Sequence, residues 1–430
     1  MTNLPTRDPR RTTARKALRV LVVSSRYPPD HEGGYEIGCR DVVDALIERG
    51  HEVEVLAGAT GAAGDAARHV RRELAPAAIA GRMPQPVWIA RMFARDLTNR
   101  RTFERTCRRF RPDVAYLWQL YPISASLAFA AQRLGLPVCY YVFDYWLARW
   151  REHPWPALWL GRAARPMGRL ARGALRPLAQ ALRLVPEGEL DLSRAQFASE
   201  HLRRATAQAG SGIDAAPTIP FGVDPRRFPY RQEPRPARRL LFVGRLTPEK
   251  GVDTLLGAAR LLAAVTDRDR LEVNIVGGPL DGLHAERLRN AAATIGPAVT
   301  VSFTGRVDRE RLPALYAGHD ILVFPSVWDE PFGITILEAM SCGLAVVATG
   351  TGGSGEIVRD GINALTFPPG DEQALAARIE RLRGEPRLLE ELRHRGRVAV
   401  EETFALERTV DRIEDALRDA AAQRGRRWDG

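Results

Sequence analysis

Two glutamates set the chemical question. They bracket the stretch Glu330-Pro-Phe-Gly-Ile-Thr-Ile-Leu-Glu338. The apolar run Ile321–Pro325 just before them reads as a buried strand, and a helix is expected from about Gly333. The opening amides of such a helix, at Phe332, Gly333 and Ile334, have no intrahelical acceptor and suit an anion such as a pyrophosphate. Gly333 permits close backbone approach. Glu338 falls one turn inside the helix. Helical side chains lean back toward the N-terminus, so its carboxylate can reach ribose hydroxyls. Glu330 precedes the helix and is expected further out, near a sugar. Both also read as ordinary acids, one of them capping the helix start, and local spacing does not choose between these readings.

A second stretch, Gly244-Arg-Leu-Thr-Pro-Glu-Lys-Gly251, follows the strand-like run 239–244. Thr247 suits an N-cap, Pro248 the first helical position and Glu249 the first turn. Arg245 and Lys250 are left without a structural role. A cation in a first helical turn opposes the helix dipole unless an anion compensates. Only Lys16 and Lys250 are lysines among 63 basic residues, so a compact point charge stands where arginine is the default. Binding a phosphate is the functional reading, and a solvated basic pair is the plain one. A third stretch, Tyr27-Pro-Pro-Asp-His-Glu-Gly-Gly34, follows the first strand; Gly33 and Gly34 would let backbone approach a ligand or simply make a turn. No G-x-G-x-x-G follows any strand, which argues against a nicotinamide or flavin enzyme.

These residues need elements to hold them. Strands are expected at 18–24, 51–56, 114–117, 138–142, more weakly at 183–185, and then at 239–244, 271–276, 299–304, 321–325 and 345–348. Helical patterns lie between them, at 36–49, 252–264, 283–295, 309–317 and 334–340, and the tail from Leu375 to about Gln423 reads as helical throughout. The alternation predicts two doubly wound, Rossmann-like α/β domains with ligands beyond the carboxyl ends of the strands. The proline-rich stretch 217–238 reads as the hinge. No repeat of 20–50 residues is evident.

The chain has 430 residues, 45% hydrophobic and 27% charged, enough for a sizeable core. The net charge of +11 rests almost wholly on arginine and reads as a coding bias rather than a nucleic-acid footprint. Cys39, Cys107, Cys139 and Cys342 form no metal-binding pair and no disulfide framework, so reduced thiols in a cytoplasmic protein are expected. The N-terminal residues are basic and polar without a signal-peptide core, and no window is apolar enough for a membrane span.

Taken together, these motifs resemble the retaining GT-B glycosyltransferases of family 4, the glycosyl transferases group 1. The resemblance rests on Pro220-Phe-Gly-Val-Asp224 with Phe228, the stretch 244–251, Val301-Ser-Phe-Thr-Gly-Arg-Val307, and Val323-Phe-Pro-Ser326. It continues through Glu330 to Glu338, Gly352-Gly353 to Glu356, and Asp360-Gly-Ile-Asn363. It implies an α/β GT-B fold with two Rossmann-like domains facing across a cleft. The expected divisions are a basic tail (1–16), an acceptor domain (17–222), a donor domain (223–400) and a C-terminal helix packing back toward the first domain (401–430). It further implies a nucleotide-diphosphate sugar as donor substrate, no separate cofactor, no metal, and transfer with retention. Arg245 and Lys250 would hold the diphosphate and stabilise the leaving group. Glu338 would bind the ribose, Glu330 would contact the donor sugar, the backbone of Arg306 and Val307 would meet the base, and Gly34 would approach the phosphates. The only Asp-x-Asp, at Asp267 and Asp269, sits between a helix and a strand rather than in a metal-binding loop.

One position departs from the family pattern. A His-Asp usually follows a strand at the sugar end of the site; here the stretch is Phe143-Asp144-Tyr145-Trp146. Asp144 fits and is carried over as a catalytic candidate, but a phenyl ring can neither hydrogen-bond a hydroxyl nor move a proton. Either Asp144 takes over a polar role, or the donor presents an apolar edge, as a 6-deoxysugar or pentose would. A slipped alignment or mere tolerance of the change reads equally well.

The acceptor would be a glycan, a lipid-linked molecule or a natural product, with no nucleic-acid partner. Arg149–Arg183 carries eight arginines and one acid, Glu152, with Trp150, Trp155 and Trp159 among them. It reads as a solvated basic face or as a peripheral contact with an anionic membrane surface. A GT-B-fold nucleotide-sugar epimerase and a non-catalytic sugar-nucleotide-binding protein are the competing functions.

Overall fold

The computed structural model describes residues 16–30, 33–59, 67–76, 85–153, 166–233, 235–265, 270–279 and 282–423. Most of basic tail 1–16, the pair Asp267 and Asp269, and Trp155 and Trp159 lie outside the described residues.

The first sheet is built from Arg19–Ser24 (β1), Glu52–Gly58 (β2), Val70–Leu74 (β3), Val114–Leu117 (β4), Val138–Val142 (β5) and Ala195–Phe197 (β6), in the order β3-β2-β1-β4-β5-β6. The second comprises Arg239–Val243 (β7), Leu271–Val276 (β8), Val299–Gly305 (β9), Ile321–Phe324 (β10), Ala345–Ala348 (β11) and Leu365–Thr366 (β12), in the order β12-β11-β10-β7-β8-β9. The pairing is parallel. Central strands β4, β5, β10 and β11 are buried along their whole length, which is why they read as unbroken apolar runs. Edge strand β9 alternates burial and exposure instead.

Two compact units emerge from this chain. One comprises the residues up to Tyr140, Trp150–Arg194 and those from Glu414 on; the other comprises Tyr141–Arg149 and Ala195–Ile413. In the second unit, Leu240, Phe242, Val273, Ile275, Ile321, Val323 and Val347 form the core with Leu255, Leu256 and Leu262 of helix Val252–Val265 (α6). Each such side chain contributes about 1.5–3 kcal/mol on burial.

Each sheet reverses its winding once, between β1 and β4 in the first and between β7 and β10 in the second. Open parallel sheets bind ligands beyond the strand ends at such a reversal. The loop carrying Gly33 and Gly34 follows β1; Arg245 and Lys250 follow β7; Glu330 follows β10.

The remaining helices are Gly34–Glu48 (α1), Gln85–Phe110 (α2), Ser126–Arg133 (α3), Pro166–Ala181 (α4), Glu200–Ala205 (α5), Leu283–Ala293 (α7), Leu312–Ala317 (α8), Ile334–Cys342 (α9), Glu372–Gly384 (α10), Pro386–Glu402 (α11) and Leu406–Ala422 (α12). The structure corrects two expected elements. Residues 183–185 are not a strand: the amide of Leu184 donates to the carbonyl of Ala179, closing α4, and Leu184 and Val185 are buried with Ile89 and Met92 of α2. The apolar run serves helix packing. The tail is not one continuous helix either. Pro386 cannot continue α10 and instead opens α11, while residues 403–405 turn the chain into α12.

Candidate functional site

Lys250 and Glu330 meet. The Lys250 Nζ donates to both carboxylate oxygens of Glu330, at 2.7 Å to Oε1 and 3.0 Å to Oε2. Their side chains retain only 17% and 6% of their exposure. The ammonium also lies 5.7 Å from the ring centroid of Trp328, within cation–π range. Ser326 Oγ, at the end of β10, sits 2.6 Å from Glu330 Oε1 and 3.1 Å from the carbonyl oxygen of Glu249. Adjacency of β7 and β10 dictates this meeting, since each strand delivers one partner at its carboxyl end.

The local fold around Lys250 differs from the sequence expectation. Pro248–Lys250 form a single 3-10 turn preceded by Thr247, and α6 starts only at Val252. Lys250 therefore stands before the helix rather than in its first turn, and Glu330 supplies the compensating anion. Gly251 makes the junction with φ +69°. A Cβ there would stand 1.9 Å from the carbonyl oxygen of Pro325, so glycine is what lets the Lys250 turn lie against the end of β10. Glu330 precedes α9 and is buried, because Lys250 and Ser326 satisfy its carboxylate.

Gly333 is the N-cap residue of α9, so the amides of Phe332, Gly333 and Ile334 lie at that helix's start, as the sequence implies. Glu338 lies in the second turn of α9, buried, and its Oε2 accepts from the hydroxyl of buried Tyr316 at 2.8 Å. Burial, reinforced by the Glu338 charge, pushes the Tyr316 hydroxyl well above its ordinary range, so it stays a donor. Burial, then the charges of Asp329 and Glu330, push the Tyr145 hydroxyl to about 12.

Arg245 is exposed beyond β7, its guanidinium 3.9 Å from Glu249. Arg306 and Val307 follow β9, two strands from β7 in the same sheet. At a strand spacing of about 4.8 Å, that separation is roughly 10 Å. Backbone bonds link the carboxyl ends of these strands, across a register shift between β8 and β9 at Val276: the Gly244 amide donates to Val276 and the Gly277 amide to Gly305. Gly34 is the first residue of α1 in the first unit, where the amide of N-cap Gly33 donates to Glu36 Oε2 at 3.2 Å. Asp144 Oδ1 accepts from the Trp146 amide at 2.9 Å, closing its own turn. The Phe143 ring packs on Phe221 and Phe332 at centroid distances of 5.3 and 5.5 Å.

Trp328 and Tyr316 escaped the sequence reading. Trp328 sits between a strand end and Glu330, a position that marks it in retrospect. Tyr316 lies in α8 and carries no local signal. Among the described residues no cluster of three or more His, Cys, Asp or Glu side chains could hold a metal ion, and no helix is long and apolar enough to cross a membrane.

Two family models match this chain: Glycosyl transferases group 1 over residues 227–399 and Glycosyltransferase Family 4 over residues 32–175. A D-inositol 3-phosphate glycosyltransferase of Geodermatophilus obscurus is 39% identical over 220 residues, covering 48% of this chain and 47% of the relative. The chain thus spans about half the length of the curated relatives it matches. Among solved structures, sucrose-phosphate synthase of Thermosynechococcus elongatus aligns over 94% of this chain and 99% of its own, with TM-score 0.67 and 21% identity. Anabaena Alr3699/HepE in complex with UDP and glucose aligns over 94% of this chain and 100% of its own, with TM-score 0.63 and 20% identity. These two solved structures establish the fold, and the two family matches establish the relationship. The chain belongs to the group 1 glycosyltransferases of family 4 and has their GT-B fold.

Proposed function

We propose that the protein moves a sugar from a nucleotide-diphosphate sugar to an acceptor hydroxyl, with retention of anomeric configuration, in the synthesis of a glycan, a glycolipid or a glycosylated natural product. The observation that carries this reading is the Lys250–Glu330 pair at the reversal between β7 and β10, with the opening amides of α9 in the same loop. An incoming diphosphate would compete with the Glu330 carboxylate for the ammonium. Lys250 and Arg245 would then hold the phosphate oxygens with the α9 amides, and Glu330 would be released to the sugar hydroxyls. As the glycosidic bond breaks, charge grows on the departing diphosphate, and those same cations and amides stabilise it most at that point. This positive cluster is the protein's own means of neutralising the leaving group. The base would lie toward Arg306 and Val307, roughly 10 Å along the sheet edge, a span that suits a nucleoside diphosphate. Glu338 would hold the ribose. The name of the inositol-phosphate relative supports a phosphorylated polyol as one acceptor to try.

The surroundings of Phe143 support an apolar edge on the donor, since Asp144 is engaged in its own turn and Phe143 stands among rings. The test is release of nucleoside diphosphate from UDP-glucose, GDP-mannose, dTDP-rhamnose and UDP-xylose, with and without an acceptor panel. Turnover of at least one donor is expected, with the 6-deoxysugar or pentose preferred. A strong preference for glucose or mannose would remove the apolar-edge reading. Donor binding without turnover under any condition would favour a non-catalytic sugar-nucleotide-binding protein.

A further inference from the structure

The loop that carries Glu330 is held by its carbonyls. The hydroxyl of Thr349 donates to the carbonyl of Ser326 at 2.8 Å, and that of Thr351 to Trp328 at 2.7 Å. The hydroxyl of Tyr145 donates to Asp329 at 2.9 Å, the amide of Gly353 to Glu330 at 2.6 Å, and the hydroxyl of Ser199 to Pro331 at 2.6 Å. Gly352 and Gly353 make the approach possible: a Cβ at the first would stand 2.5 Å from the Glu330 carbonyl oxygen, and at the second 2.1 Å from that of Pro331.

Threonines 349 and 351 and Gly353 come from the next strand and its loop, as parallel packing requires. Tyr145 and Ser199 come from far away in sequence, 184 and 132 residues from their acceptors. Tyr145 fastens the peptide that leads into Glu330, and Ser199 fastens the peptide after Pro331, the residue that follows it. Both are themselves held. Tyr145 spends its proton on Asp329, so the contact of 2.9 Å with His201 Nε2 makes the imidazole the donor to the phenol oxygen. Ser199 Oγ accepts the Leu202 amide as the N-cap of α5, and the Glu356 carboxylate accepts the amides of Glu200 and His201. The α5 N-terminus is thereby tied to the same glycine turn that supports Glu330.

We propose that Tyr145 and Ser199 are positioning residues that fix the Glu330 carboxylate by anchoring the carbonyls of Asp329 and Pro331. This rests on the reading of Glu330 as a sugar contact. Neither hydroxyl touches Lys250, Arg245 or the α9 amides, so the hold on a bare diphosphate is separable from the hold on Glu330.

The experiment uses Tyr145→Phe, Ser199→Ala, their double variant and Ser199→Thr in the full chain. Each is measured for turnover of the donor panel, for UDP and GDP affinity, and for amide hydrogen exchange of residues 327–333. Ten-fold or greater loss of kcat is expected in the double variant, with UDP and GDP dissociation constants within three-fold of the parent. Faster exchange confined to the loop should accompany this, and Ser199→Thr should restore the parent behaviour. Unchanged kcat and exchange in the double variant would overturn the proposal. Equal losses of kcat, nucleotide affinity and melting temperature would do so too, as they mark a merely structural role. If the parent turns over no donor, the proposed function falls, and loop exchange alone decides the positioning claim.

Discussion

Lys250 is a half-buried cation paired with the buried carboxylate of Glu330, and that makes its substitution informative for folding as well as for binding. Lys250→Ala leaves Glu330 enclosed without its cation, and breaking such a pair costs about 3 kcal/mol. The estimate sits at the low end because Lys250 keeps some solvent. A lower midpoint in urea with an unchanged slope is expected; an unaltered midpoint would mean that the carboxylate has another counter-charge. The importance of Lys250 was legible because a lone lysine in an arginine-rich chain needs a reason. Its partner was not legible, since 80 residues separate the two and only the order of the strands brings them together. Glu338 was legible as to place, through helical geometry, but its bond to Tyr316 was hidden in a different helix.

At the scale of elements, the loop between β7 and α6 depends on a backbone conformation that L side chains resist. Gly251→Ala would force strain at φ +69° and push a Cβ against the Pro325 carbonyl. A loss of about 2 kcal/mol or more follows, visible as a drop in melting temperature. Gly282→Ala is the control: it too has positive φ, but a Cβ there meets nothing within 4 Å, so its loss should be smaller. Buried central strands could be read from sequence because enclosure on both faces demands apolar residues throughout. Strand β3, Val70-Arg-Arg-Glu-Leu74, escaped because an edge strand tolerates charge, and three-residue β6 is too short for a pattern. Leu184 and Val185 misled for the opposite reason, since apolar residues that close a helix look like a strand.

For the molecule as a whole, α12 begins in the second unit and ends in the first. Within the first unit, Glu414 of α12 pairs with Arg49 at 2.8 Å and with Arg418 at 2.8 Å, and lies 3.5 Å from His51 Nε2. Burial opposes ionisation of Glu414, but the hydrogen bonds and charges of Arg49 and Arg418 prevail and hold its carboxyl at about 2, against an ordinary 4.5. A folded-state value below the unfolded one stabilises above pH 4.5, and that contribution fades as pH falls toward 2. Glu414→Gln should therefore be less stable than the parent at pH 7 and show a flatter stability curve between pH 4.5 and 2; parallel curves would assign the acid sensitivity elsewhere. The two-sheet architecture was legible from strand and helix alternation. This ion-pair network was not, because Arg49 and Glu414 lie 365 residues apart in sequence.

The account turns on Lys250 as the cation that receives the donor's diphosphate. Isothermal titration of UDP and GDP into the parent and Lys250→Ala, under conditions where both are folded, tests it most directly. Losing one charge-assisted phosphate contact should weaken the bound nucleotide by roughly 10- to 100-fold. Equal affinity in the two proteins would contradict the claim.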